Sequence, residues 1–193
     1  MKIYEYESYD EYVDEQTKAN KRKIRNVWVR KDVLASIKMY YKNPDVILCH
    51  GTRNAAEQKI FEQFYPDAEI MGTEISETAT QFTNTINHDF HEELPQYLNK
   101  CDIVYSNSFD HSYDPDKCMK TWAGQVKEGG HLFLELMIGN ENRSKASDPL
   151  EISKNEVISL AENYGLRYII TEMGRLGQSE LLVFTKDKPK PKS

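Results

Sequence analysis

The sequence predicts an α/β fold: an open, mostly parallel sheet between helical layers, ending in an antiparallel hairpin. Three observations carry this. Short apolar runs alternate with amphipathic stretches from Val46 to Tyr164. Two strand-like runs, Leu166 to Glu172 and Glu180 to Thr185, then follow one another across the Gly-containing turn Gly174 to Gln178, so the last strand lies antiparallel to a neighbour. Finally, the run Val46 to Cys49 breaks at Gly51 and the next strand ends on an isolated carboxylate, Glu74. That order builds a nucleoside-binding crevice at the carboxyl ends of parallel strands.

Taken in order, Ser8 with Glu11 has capping-box spacing and starts a first helix with Tyr9, Tyr12 and Val13 on its apolar side. Val33, Leu34, Ile37, Tyr40 and Tyr41 recur at helical spacing until Asn43-Pro44 stops them. Val46 to Cys49 is apolar throughout, as a strand buried on both faces requires. Asn54 with Glu57 repeats the capping-box spacing and predicts a helix from Ala55 to Phe64, with Ala56, Ile60 and Phe64 on one side and Pro66 closing it. Further strands are predicted at Glu69 to Glu74, Thr85 to Asn87, Asp102 to Ser106 and His131 to Met137. Ser76 caps a short helix, Asp114-Pro115 opens another that Gly129-Gly130 terminates, and Ser153 with Glu156 caps a third that ends at Gly165. Residues 1–45 are thus read as a helical extension, 46–186 as the core and 187–193 as a disordered tail of alternating Lys and Pro.

Composition narrows the class. The 193 residues suit one domain, and 29% charged with 11% aromatic side chains suit a globular protein without a membrane span. The start, Met1 to Asp10, lacks the basic and apolar regions of a secretory signal. Cys49, Cys101 and Cys118 have neither disulfide nor zinc spacing, which points to a reducing, cytoplasmic setting. A net charge of -6 argues against an extended nucleic-acid footprint. The basic cluster Lys18, Lys21, Arg22, Lys23, Arg25, Arg30 and Lys31 reads as a solvated face in preference to a phosphate-binding patch.

The candidate binding residues sit at strand ends. Gly51 lets backbone approach a ligand, although a bare strand-to-helix turn also uses Gly there. Glu74 is placed to accept from two ribose hydroxyls, against the plainer reading of an exposed strand-end acid. Asp89 suits an exocyclic adenine amine, with Phe90 as apolar contact; a loop-capping Asp is the alternative. Ser106, Asn107 and Ser108 close the fourth strand beside these groups, as ligands or as turn formers. His88, His91, Asp89, Glu92 and Glu93 fit no strong zinc spacing, so no metal site is assigned.

The succession of apolar strand, Gly51 loop, Gly72-x-Glu74-x-Ser76, His88-Asp89-Phe90, Asp102-Ile-Val-Tyr-Ser-Asn107 and Gly129-Gly130-His-Leu-Phe-Leu-Glu135 resembles class I, Rossmann-like S-adenosylmethionine-dependent methyltransferases. It covers Val46 to Thr185. The resemblance implies a three-layer sandwich around a seven-stranded sheet with one antiparallel hairpin strand. It implies S-adenosylmethionine as cofactor, held by His50, Gly51, Thr52, Arg53, Asn54, Glu74, Ile75, Asp89, Phe90, Ser106 and Asn107. Asp110-His111 followed by Asp114-Pro115 is similar to the family's loop after the fourth strand. The chain departs from the pattern in one place: Cys49 stands where the family usually has an acid, and Arg53 and Ala55 where Gly is common. Arg53 then becomes the candidate partner of the methionyl carboxylate.

Methyl transfer from a sulfonium needs alignment and, for a protonated acceptor, a base; His50 and His111 are the candidates. The expected activity is methyl transfer to an unidentified acceptor, a small molecule in preference to an accessible group on a macromolecule. A catalytically inactive nucleoside-binding module is the alternative. An NAD-dependent oxidoreductase ranks lower, because no Gly-x-Gly-x-x-Gly follows the first strand. Oligomeric state is not legible.

Overall fold

The computed structural model describes residues 1–138, 144–174 and 177–187. In chain order its elements are β1 (Lys2–Ile3), α1 (Tyr9–Lys23), α2 (Lys31–Ser36), β2 (Val46–His50), α3 (Ala56–Phe64), β3 (Glu69–Glu74), β4 (Thr85–Asn87), β5 (Cys101–Ser106), α4 (Pro115–Gln125), β6 (Val126–Met137), β7 (Leu150–Glu151), α5 (Lys154–Asn163), β8 (Leu166–Met173) and β9 (Ser179–Lys186). Seven strands form the main sheet in the order β4-β3-β2-β5-β6-β9-β8. All pairs are parallel except those of β9, which runs antiparallel to β6 and β8. Outside it, β1 and β7 form a two-stranded antiparallel ribbon that apolar periodicity did not signal.

The sheet is buried on both faces because its central strands are apolar at successive positions. Ile47 and Cys49 point into a core built with Leu34, Ile37 and Phe61, on the α2 and α3 side. Leu48 and Val104 point into the opposite core, with Met119, Trp122, Val157 and Ala161 of α4 and α5. These are the two interfaces of a three-layer sandwich. The chain leaves β2 toward β3 and β4, then returns to β5 on the other side of β2, so the strand order reverses between β2 and β5. That switch point is where a doubly wound sheet opens a crevice. Its alignment is fixed from below by Asp102, whose buried carboxylate accepts from the backbone N–H groups of Asp45 and Val46, both at 2.9 Å, and pairs with Tyr41 and Lys127.

Several helix ends follow the predicted spacing. Ser8 Oγ caps α1 through the Glu11 N–H at 3.2 Å, and Ser76 Oγ accepts from Thr78 N–H. Ser153 and Glu156 form the full reciprocal box at the start of α5. Ser153→Ala is expected to cost about 1 kcal/mol, read as a lower denaturation midpoint with an unchanged slope.

Other ends differ. Asn54 does not cap α3: its Nδ2 donates to the carbonyls of Ile24 and Asn26, while the cap position falls to Ala55 in the left-handed region. On α3 the half-buried Ala56, Ile60 and Phe64 pack against the core as predicted, and Glu57, Gln58 and Phe61 are buried deeper. Gly129-Gly130 does not end α4 either. The helix stops at Gln125 and β6 begins at once, and the pair sits in a register shift where a Cβ on Gly130 would stand 2.8 Å from the Cys101 carbonyl oxygen. Lys186 belongs to β9 and donates to the carbonyls of Ala123 and Val126. The predicted tail beyond Asp187 lies outside the described residues. No helix among the described residues is long and apolar enough to cross a membrane.

Candidate functional site

The carboxyl ends of β2, β5 and β6 open into a cavity of about 470 Å³, walled on the outside by the end of α1 and by residues 144–148. Its floor is the turn after β2. Gly51 and Thr52 both donate backbone N–H groups to the Thr73 carbonyl at 3.0 Å, which folds the chain back over β3. Gly51 sits at φ +71°, and a Cβ there would stand 2.6 Å from Ser108 Cβ, so the position requires glycine.

Arg53 and Ala55, at φ 46° and 59°, also occupy the left-handed region. These are the two positions where the sequence resemblance expects glycine, so the loop keeps a glycine-type backbone while carrying side chains. Such a conformation costs about 1 kcal/mol or more per residue. What it gains is the direction of Arg53, whose half-buried guanidinium lines the cavity and has no hydrogen bond or ion pair among the described residues. Burial lowers its pKa, and the negative field of Glu74, Glu57, Asp110 and Asp148 partly offsets that.

Glu74 lies at the end of β3 as expected, 7% exposed. One oxygen accepts from the Arg53 N–H at 3.0 Å and the other from the Ser76 N–H at 2.9 Å. Burial raises its pKa against those two bonds. Since a carboxylate has about four lone-pair sites, two remain for a ligand. Beside it the crevice narrows to about 40 Å³, because Tyr12, Gln16, Ala19 and Asn20 of α1 lie over Glu74, Ile75 and Phe90. Tyr9 to Asp89, Asn20 to Thr78 and Lys21 to Glu77 hold α1 in that place.

Three predicted residues turn inward instead. His50 is 1% exposed, bonded through Nδ1 to Thr73 Oγ1 at 2.9 Å and through Nε2 to Gln125 Oε1 at 2.7 Å, and stacked on Trp122. Burial drives its pKa down to about 3. It is a core imidazole with both ring nitrogens satisfied, and it does not line the cavity. Asp89 is spent on His91, whose backbone N–H and Nδ1 lie 3.0 and 2.6 Å away, and on Tyr9. Burial opposes its ionisation, but the His91 contacts bring its pKa below the ordinary value. His91 passes the chain on to Ser112, so Asp89 organises its own loop. Ser106 donates to the His50 carbonyl and accepts from the Ser108 N–H, a turn-forming role. By contrast Thr52, Asn54 and Asn107 line the larger cavity and Ile75 and Phe90 the narrow part.

His111 lines both parts. Its Nδ1 lies 2.9 Å from the Ser147 carbonyl and 3.1 Å from Gln16 Oε1, which directs Nε2 toward Asp110 and Asp148. The three side chains place ligating atoms within 4.8 Å of one another. The 3.9 Å separations exceed the roughly 3–3.5 Å between neighbouring ligands of an ion held at about 2.0–2.2 Å, and Lys145 neutralises Asp148. Asp110 and Asp148 thus flank the Nε2 edge of the imidazole.

Two acids at the cavity were not singled out by the sequence. Glu135, at the end of β6, accepts from Tyr105 Oη at 2.9 Å and from Ser179. Glu57, on α3, is 6% exposed, with Oε1 3.4 Å from Asn107 Nδ2. From sequence Glu57 reads as the acid of the Asn54 capping-box spacing; its position one turn before Phe61, on the side of α3 that meets the sheet, is the signal that points to the cavity.

With that geometry in place, the molecule has the fold of class I, Rossmann-like S-adenosylmethionine-dependent methyltransferases. It superposes on the 1,6-didemethyltoxoflavin-N1-methyltransferase of Burkholderia thailandensis, solved with 1,6-didemethyltoxoflavin and S-adenosylhomocysteine, with a TM-score of 0.73 at 11% identity over 96% of this chain and 93% of that one. The N-methyltransferase NodS of Bradyrhizobium japonicum, with bound S-adenosylhomocysteine, gives 0.68 at 12% identity over 91% and 100%. A putative methyltransferase of Haloferax volcanii, in complex with the Trm112 activator, gives 0.67 at 13% identity over 93% and 98%. No protein-family model and no curated protein matches the chain in sequence.

Proposed function

We propose that the protein binds S-adenosylmethionine across the β2–β5 switch point and transfers its methyl group to a small-molecule acceptor. The observation that carries this is Arg53: a half-buried cation without a partner among the described residues, turned into a 470 Å³ cavity by a left-handed loop at the end of β2. A carboxylate is the ligand group that a guanidinium in such a place recognises best. Glu74 supplies acceptors for ribose hydroxyls on the same side. The presence of S-adenosylhomocysteine in structural neighbours supports the choice of nucleoside.

The cofactor supplies a methyl group on a positively charged sulfur, so the protein's task is alignment and exclusion of water. For an acceptor that carries a proton, His111 Nε2 is the group in the cavity placed to take it, with Asp110 and Asp148 stabilising the resulting imidazolium. The narrow space at Glu74 requires α1 to swing outward as the nucleoside enters. Its ties there combine the polar contacts of Tyr9, Asn20 and Lys21 with the buried Tyr12 ring, which packs on His91 and Tyr113. Three free, buried cysteines support residence in a reducing compartment, the cytoplasm.

Calorimetric titration with S-adenosylhomocysteine tests the reading, and absence of binding at millimolar ligand rejects it. Glu74→Ala is expected to weaken that binding by about 1–3 kcal/mol through loss of a charged acceptor. Unchanged affinity would take Glu74 out of the site. A protein that binds the nucleoside but transfers no methyl group to any amine, hydroxyl or thiol acceptor is the inactive module.

A further inference from the structure

The cavity beside Arg53 contains a second ionisable group left incomplete among the described residues. Glu57 Oε2 is buried and has no hydrogen-bond partner among the described residues. An orphaned carboxylate oxygen in a protein interior is costly, and at the wall of a cavity a bound ligand is one of the groups that completes it. Glu57, in the first turn of α3, lies close after the Arg53 loop, both side chains line the same cavity, and each lies in the other's field. Its carboxylate also lies near the Cys49 thiol, whose pKa it helps to raise after burial itself.

We infer that Arg53 and Glu57 form a clamp for an α-amino-acid zwitterion, with Arg53 on the carboxylate and Glu57 on the ammonium group. The inference rests on the cofactor reading above and adds the residue that holds the amino group of the methionyl end. It also accounts for the departure at Cys49. The small, uncharged side chain there leaves room for an acid that arrives from α3 instead of from the strand. An ammonium has three donors; Glu57 Oε2 takes one, and the Asn107 side chain, which touches Glu57 Oε1, holds the carboxylate in place. Arg53 offers five donors in a planar fork, which suits the carboxylate partner. Cavity walls this polar would reject a ligand that lacks the amino group, because Glu57 would stay buried and unpaired.

The test compares S-adenosylhomocysteine with its desamino analogue by calorimetry, on the wild type and on Glu57→Gln, between about pH 5.5 and pH 7.5. The wild type is expected to prefer S-adenosylhomocysteine by about 10-fold or more at the upper pH, as a charge-assisted bond implies, and to lose that preference toward the lower pH as Glu57 takes up a proton. Glu57→Gln is expected to bind both ligands alike at every pH. Equal binding of the two ligands by the wild type overturns the clamp, and so does a preference that survives in Glu57→Gln. If the wild type binds neither ligand, the cofactor reading fails and the clamp with it. If both bind without discrimination, the cofactor reading stands and only the clamp falls. The wild-type comparison alone decides the matter should the variant fold poorly.

Discussion

Glu57→Gln is expected to unfold with about 3 kcal/mol more free energy than the wild type at pH 8, and with the same free energy at pH 4. The reason is burial, which raises the Glu57 pKa from 4.5 to about 7. A group whose folded pKa lies above its unfolded value contributes stability that is complete below the unfolded pKa. That contribution is lost as pH rises through the folded one. For Glu57 the loss starts near pH 4.5 and is complete just above 7, and two to three pKa units correspond to about 3 kcal/mol. Glutamine keeps the shape and an oxygen for Asn107 but never carries the charge. Urea denaturation at the two pH values reads the difference directly. Coincident curves at pH 8 would show that the ionised carboxylate is already compensated, and the orphaned oxygen would lose its meaning. A variant that gains stability while losing ligand discrimination is the pattern of a residue retained for binding at the expense of the fold.

The sequence exposed the sheet far better than the site. Strands such as Val46–His50 and Cys101–Ser106 are buried on both faces, so their apolar runs are written in consecutive residues. The Ser153 box is equally local, needing only a hydroxyl and an acid three residues apart. Site residues are decided by which way a side chain turns, and short spacing does not encode that. His50, Asp89 and Ser106 have the residue types and the strand-end positions of ligand groups, yet partners distant in sequence claim them: Gln125 for His50, Tyr9 for Asp89, and the His50 carbonyl for Ser106. The failed cap at Asn54 has the same origin. Its amide is drawn off by the carbonyls of Ile24 and Asn26, some thirty residues earlier. Arg53 was legible because a charged residue at a glycine position is conspicuous. Glu57 was not, because an acid in the first turn of a helix is ordinary until its surroundings are known.

The neutral His50 imidazole sets the opposite pH dependence. Its folded pKa, about 3, lies below its unfolded value of 6.5, so its contribution is complete above 6.5 and lost as pH falls toward 3. Burial makes protonation unfavourable, against the Gln125 bond, which by itself favours the charged ring. Gln125 Oε1 accepts the Nε2 proton, leaving Nδ1 to accept from Thr73 Oγ1, and a second proton would put a charge against Trp122 in a site closed to water. Over pH 4.5 to 6.5 the unfolded chain holds the extra proton on His50 and the folded chain holds one on Glu57, so the two slopes cancel in the wild type. Glu57→Gln removes the cancellation and is expected to lose about 1.4 kcal/mol of stability per pH unit over that interval, beginning near 6.5. His50→Gln in the same background is expected to remove that slope, whatever it does to stability at neutral pH. Between pH 7 and pH 4 the free-energy difference between the two variants should therefore shrink by roughly 3 kcal/mol. A constant difference would mean that the imidazole is protonated in the folded state. The wall of Thr73, His50 and Trp122, which anchors the Gly51 turn through the Thr73 carbonyl, would then be built on a charge.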